Sequence, residues 1–165
     1  MKRQIIFLNG PSSSGKSTLA GALQGLILEK RSERYGVVSI DDYLKMSISK
    51  TIYEDHVFEI SDILCNKALE MLETGDGVII DHVITSERIF EHLKEKLSSG
   101  HLRMVHVTCP LHLLRKRERE RGDRCLGSAE ASAKYLFPGE GYDLVIDTGT
   151  KSPAESALVI LDNLF

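Results

Sequence analysis

The ten residues from Asn9 to Thr18, NGPSSSGKST, constrain this chain more than any other stretch. They follow a short apolar run, QIIFLN from Gln4 to Asn9, and lead into STLAGALQGLILEK, where Leu19, Leu23 and Leu26/Ile27 recur at helical spacing. Gly10 to Ser17 fits G-x-x-x-x-G-K-[ST] in full. A glycine-rich turn between a buried strand and a helix lets backbone N–H groups close around phosphate oxygens, with the positive end of the helix facing the anion. Gly10, Pro11, Ser12, Ser13, Ser14, Gly15, Lys16, Ser17 and Thr18 are therefore the expected nucleotide cradle. Lys16 is expected to reach the β- and γ-phosphates, and the Ser17 hydroxyl to ligate Mg²⁺.

Further along, apolar runs alternate with helical patterns. GVVSID (Gly36 to Asp41), VIID (Val78 to Asp81), RMVHVT (Arg103 to Thr108) and YDLVID (Tyr142 to Asp147) read as four more short buried strands. Between them, helical spacing runs from Ile52 to Thr74, from a Ser86 cap towards Gly100, and onward from Pro110. SPAE (Ser152 to Glu155) is a capping box with Pro at the first helical position, which predicts a last helix over Pro153 to Leu164. Five such strands separated by helices predict an α/β fold: a five-stranded parallel sheet with helices on both faces, three layers in all. In such sheets ligands sit beyond the carboxyl ends of the strands, where Gly10, Asp41 and Asp81 all fall.

Two carboxylates are candidates at that edge. Asp41 and Asp42 are adjacent and would face opposite sides of an extended strand, so one of them points to the phosphates. Asp41 directly follows the apolar run and is the expected general base, accepting the proton of an attacking hydroxyl. Asp81 closes VIID as a Walker B carboxylate would, and is the expected second Mg²⁺ ligand beside Ser17. Asp41 could instead be a helix N-cap or a turn carboxylate, and Asp81 a capping or surface carboxylate. His82 has no partner at metal spacing and reads as a packed or solvent-facing histidine.

RKRERERGDR (Arg115 to Arg124) carries six basic and three acidic residues. Most of these read as a solvated, ion-paired helix face. Arg117, Arg121 and Arg124 would share one side if the helix ran that far, although Gly122 interrupts it. They are candidates for stabilising charge on a transferring phosphoryl group, within a lid-like segment around 115–137 that includes the helical stretch Gly127 to Leu136. Lys and Arg number 21 against 24 Asp and Glu, a net charge of -3, which argues against a general nucleic-acid binder. Three cysteines without metal spacing read as reduced thiols of a cytoplasmic protein. No stretch suits a signal peptide or a membrane span, and 165 residues suit one domain.

IIFLNGPSSSGKST, SIDD, VIID, RERERGDRCLG and GEGYDLVIDT, in this order, resemble the chloramphenicol phosphotransferase-like family of small P-loop kinases. The arginine segment followed by Tyr-Asp and Asp-Thr is the more specific part. The resemblance implies ATP and Mg²⁺ as cofactors and transfer of phosphate to a small-molecule hydroxyl. It implies Asp41 as general base, with Arg121 and Arg124 on the phosphates and Arg117 nearby. It departs at Phe137, where the founding enzyme has a histidine, and over Tyr43 to Glu59, the acceptor-facing segment. The kinase class thus carries over better than chloramphenicol itself. A nucleoside or nucleotide kinase, and an ATP-dependent switch without catalysis, remain alternatives.

Overall fold

A computed structural model describes residues 4–44 and 53–165. Five strands, β1 (Gln4–Asn9), β2 (Tyr35–Ser39), β3 (Gly77–His82), β4 (His101–Thr108) and β5 (Leu144–Asp147), form one parallel sheet in the order β2-β3-β1-β4-β5. The helices are α1 (Lys16–Arg31), α2 (Ile40–Leu44), α3 (Glu54–Thr74), α4 (Glu87–Lys96), α5 (Leu111–Arg121), α6 (Ser128–Tyr135) and α7 (Pro153–Leu164).

The period of two along β1 explains the layers. Ile5 and Phe7 face a core built with α3 and α4, while Ile6 and Leu8 face a second core built with α1 and α7. β1 is covered on both faces, so its sequence reads as a continuous apolar run. Burying that side-chain surface, at about 25 cal/mol per Å², is the main force holding the layers together.

Most element ends lie where local signals place them. Ser86 Oγ accepts from Ile89 N–H at the start of α4. Ser152 and Glu155 form the reciprocal capping box of α7. Gly122, at φ 68°, ends α5 in the left-handed conformation that glycine tolerates best.

The second strand is the correction. It stops at Ser39, and Asp41 and Asp42 lie in the first turn of α2 instead of extending the strand. Paired carboxylates suit the positive end of a helix, and Ile40 turns inward to the α3 core. The two aspartates are therefore parted by a helical step: Asp41 is half-buried and Asp42 exposed.

Register brings the functional ends level. Asp81 pairs with Leu8 on one side and Ser39 on the other, and Asp147 with Thr108. From β1 the chain runs to β2 on one flank, while β4 lies on the other, so the turn after β1 opens at the switch point of the sheet.

His82, at the end of β3, is fully buried and stacked on Phe7, and its Nε2 lies 2.8 Å from Ser61 Oγ. It is packed, one of the two readings its sequence allows. Burial pushes its pKa down to about 4. The folded state thus binds fewer protons than the unfolded chain between that value and about 6.5. Stability is present above pH 6.5 and is lost as pH falls towards 4. Between pH 7.5 and pH 5 this residue accounts for a loss of about 2 kcal/mol. Urea unfolding at the two pH values should show a visibly smaller difference for His82→Gln than for the parent; equal differences would contradict the assignment.

Candidate active site

The turn from Gly10 to Gly15 wraps the start of α1. Gly15, at φ 89°, precedes the helix with no side-chain cap, and the first turn carries no acidic residue. The leading N–H groups are thus left to an external anion. Ser13 is also left-handed, at φ 67°, although not a glycine, so the turn is held in a sparsely populated conformation. Gly10 serves a different need: a Cβ there would press into the backbone carbonyl of Val107 on β4. Gly10→Ala should cost about 1–3 kcal/mol through overpacking, and should weaken nucleotide binding as the turn is displaced. A wild-type urea midpoint would contradict this.

Lys16 is buried, and its Nζ donates to Pro11 O at 2.9 Å and Ser14 Oγ at 3.4 Å. Burial lowers its pKa, while the charges of Asp81 and Asp41 pull the other way. Ser17 Oγ donates to Asp81 Oδ2 at 2.6 Å, and Ser39 Oγ donates to the same oxygen at 3.1 Å. Asp81 is 3% exposed. A hydroxyl and a carboxylate this close are the oxygen donors that Mg²⁺ prefers, and such a cation keeps its other positions for water and phosphate. The residues present fit that ion.

A cleft of about 630 Å³ runs past this point. Ser12, Ser13, Gly15, Lys16, Ser17 and Thr18 form its floor, with Asp81 beside them. Ile40, Asp41, Val83, Arg117, Glu120, Arg121, Thr148, Lys151 and Pro153 complete its lining.

The three arginines reach this region by different routes. Arg117 and Arg121 lie one turn apart on α5. Arg117 donates to Ser14 O, Thr148 Oγ1 and Thr148 O at 2.9–3.3 Å, tying the loop after β5 to the glycine turn. Thr148 Oγ1 itself donates to Ser14 O. Arg121 lines the cleft while its Nε and Nη2 donate to Asp123. Because α5 stops at Gly122, Arg124 does not continue that helix face; it returns through the following loop and pairs with Asp41 at 2.5 Å. Its Nε is buried with no partner among the described residues.

Of the segment Tyr43 to Glu59, residues 45–52, including Thr51 and Ile52, lie outside the described residues. Tyr43, Val57 and Phe58 pack on the α3 core. Several residues of the site escape sequence reasoning. Asn9 is fully buried: its Nδ2 donates to Phe137 O and Tyr142 Oη, and its Oδ1 accepts from Ile84 N–H. Lys151 carries no motif, and Ser39 and Pro153 lie in SIDD and SPAE, stretches read for other reasons than lining a cleft. Thr148 stands in the Asp-Thr pair near the end, the only signal it gives.

The family model described as chloramphenicol phosphotransferase-like protein matches residues 3–165. No curated protein matches the chain. Among solved structures, the Mycobacterium tuberculosis APS kinase CysC in complex with AMPPNP and APS superposes with a TM-score of 0.79 at 18% identity, covering 99% of this chain and 98% of that one. A gluconokinase from Sinorhizobium meliloti 1021 gives 0.71 at 20%, covering 98% and 91%. The Deinococcus radiodurans tunicamycin resistance protein gives 0.68 at 19%, covering 98% and 95%. At these identities the likeness is one of fold, and the fold is that of P-loop kinases.

Proposed function

This chain belongs to the chloramphenicol phosphotransferase-like family, and on that premise we propose that it transfers the γ-phosphate of ATP to the hydroxyl of a small-molecule alcohol. The observation that carries this is one cleft holding the Lys16–Ser17–Asp81 cluster at its floor and Asp41 on its wall. Phosphoryl transfer needs little covalent help from protein; it needs an aligned hydroxyl and charge placed where the phosphoryl group passes.

Gly10 to Thr18 would hold the ATP phosphates through backbone N–H groups, with Lys16 on the β- and γ-phosphates. Ser17 and Asp81 would hold Mg²⁺, which when bound neutralises charge on the phosphate oxygens. Asp41 would orient the acceptor hydroxyl and take its proton. One Asp41 oxygen now faces Arg124, so the acceptor has to take the place of that guanidinium. A phosphate oxygen beside Arg124 would satisfy its partnerless Nε and draw it off the base. Arg117 and Arg121 line the same cleft, and the segment 115–137 would close as a lid that keeps water from the phosphoryl group.

The structural neighbours are a kinase solved with APS, a gluconokinase and an antibiotic-resistance protein, so the fold serves several small acceptors. Chloramphenicol heads the candidates through the family description. The described residues contain no helix long and apolar enough to cross a membrane, and three free cysteines suit a reducing, cytoplasmic setting. ADP release should be followed with Mg²⁺ across chloramphenicol, sugars, sugar acids, nucleosides and nucleoside monophosphates. Acceptor-dependent release supports the proposal. Turnover confined to nucleosides or their monophosphates would replace it with a nucleoside or nucleotide kinase.

A further inference from the structure

We propose that Glu118 is a positioning residue for the transfer, folding the arginine loop so that Arg124 meets Asp41 and α6 meets the glycine turn. This rests on reading the cleft as a phosphoryl-transfer site.

Glu118 sits among the charges of RKRERER but is unlike them: it is 3% exposed. Within the described residues it makes no salt bridge, although arginines flank it on both sides. Its carboxylate turns to backbone instead, Oε2 accepting from Gly127 N–H at 3.0 Å and Oε1 from Ala129 N–H at 2.8 Å. Burial works to raise its pKa, but these backbone bonds outweigh it and hold the carboxyl below its usual value. α6 has no side-chain cap from its own preceding residue, so Glu118 supplies the cap from α5.

The consequence is geometric. One carboxylate joins the last turn of α5 to the first turn of α6 and closes the loop between them, which carries Arg124. A second brace, Arg115 to Glu130 at 2.8 Å, is exposed and weaker. From α6, Ser132 Oγ accepts from Ser12 N–H at 2.9 Å, fastening the segment to the glycine turn. Arg124 at Asp41 and Ser132 at Ser12 thus both depend on where Glu118 holds α6.

The test compares binding of AMPPNP and of ADP by calorimetry, with Mg²⁺, alongside kcat, for Glu118→Ala and Glu118→Gln. Lid arginines that meet the γ-phosphate favour AMPPNP over ADP, whereas the glycine turn serves both and keeps its ties to Arg117 and Thr148 through Ser14 O when α6 is released. Glu118→Ala should weaken AMPPNP by about tenfold or more, through loss of bonds to a charged group, leave ADP within about twofold, and lower kcat by a similar factor to AMPPNP. Glu118→Gln keeps one acceptor oxygen and should fall between. If the alanine variant does not fold, the glutamine variant is read alone, with about a threefold loss confined to AMPPNP expected. Unchanged preference and kcat would overturn the proposal. So would an equal loss for both nucleotides with a lower melting temperature, which marks a merely structural residue. Failure of the parent protein to bind either nucleotide would sink the phosphoryl-transfer reading as well, which separates the two failures.

Discussion

Asp41→Asn should lower kcat by about 10² to 10⁴-fold, the range for a lost general base, and leave ATP affinity within about twofold. The substitution keeps the shape of the side chain and one carbonyl oxygen but removes the proton acceptor. Asp41 lies on the cleft wall at the start of α2, apart from the glycine turn that would hold the phosphates. Its present partner, Arg124, comes from the loop after α5. Losing the carboxylate frees that guanidinium for phosphate, so ATP binding does not suffer. Steady-state kinetics with a responsive acceptor, beside calorimetric ATP binding, check both halves. Near-normal turnover in the variant would remove Asp41 from the base role. A collapse of ATP affinity with kcat retained would make it a nucleotide ligand instead.

Lys16→Met should separate activity from stability. Removing a preorganised cation from a transferring phosphoryl group costs about 10² to 10³ in kcat, by analogy with loss of one oxyanion donor. Yet the ammonium is buried, and burial lowers its pKa, so the folded protein carries an unfavourable charge there. Methionine fills the same volume without that charge. Asp81 keeps its bonds from Ser17 and Ser39, so its carboxylate is not left bare. The variant should therefore unfold at no lower temperature than the parent while single-turnover transfer is nearly lost. A markedly lower melting temperature would show that Lys16 holds the glycine turn together through Pro11 and Ser14 rather than waiting for a ligand. Retained turnover would contradict its role on the phosphates.

What could be read from the chain was local. The run Gln4 to Asn9 is a strand because it alternates between two cores, and all of its residues but the first are buried. The last helix spans Pro153 to Leu164 because Ser152 and Glu155 satisfy each other's N–H groups at its start, while Pro153 has no N–H to satisfy. Gly122 ends a helix where a left-handed residue is needed. Asp41 went astray in detail because a strand followed by a one-turn helix leaves the same apolar trace as a longer strand. Arg124 reaches the cleft by a loop whose course depends on Glu118, and Glu118 looked like one more surface charge. Asn9 joins Phe137, Tyr142 and Ile84, which are 128, 133 and 75 residues away along the chain. Bonds of that span depend on packing and leave no local pattern.

On the proposed reading, phosphate passes from ATP to an alcohol in this cleft. The direct measurement incubates the protein with Mg²⁺, γ-¹⁸O-labelled ATP and a mixture of small alcohols, and follows the label by mass spectrometry. One alcohol should become heavier by a labelled phosphoryl group, formed at a rate that Asp41→Asn reduces at least a hundredfold. Label recovered only in inorganic phosphate, or left entirely in ATP while the nucleotide is bound, would contradict it and favour an ATP-dependent switch.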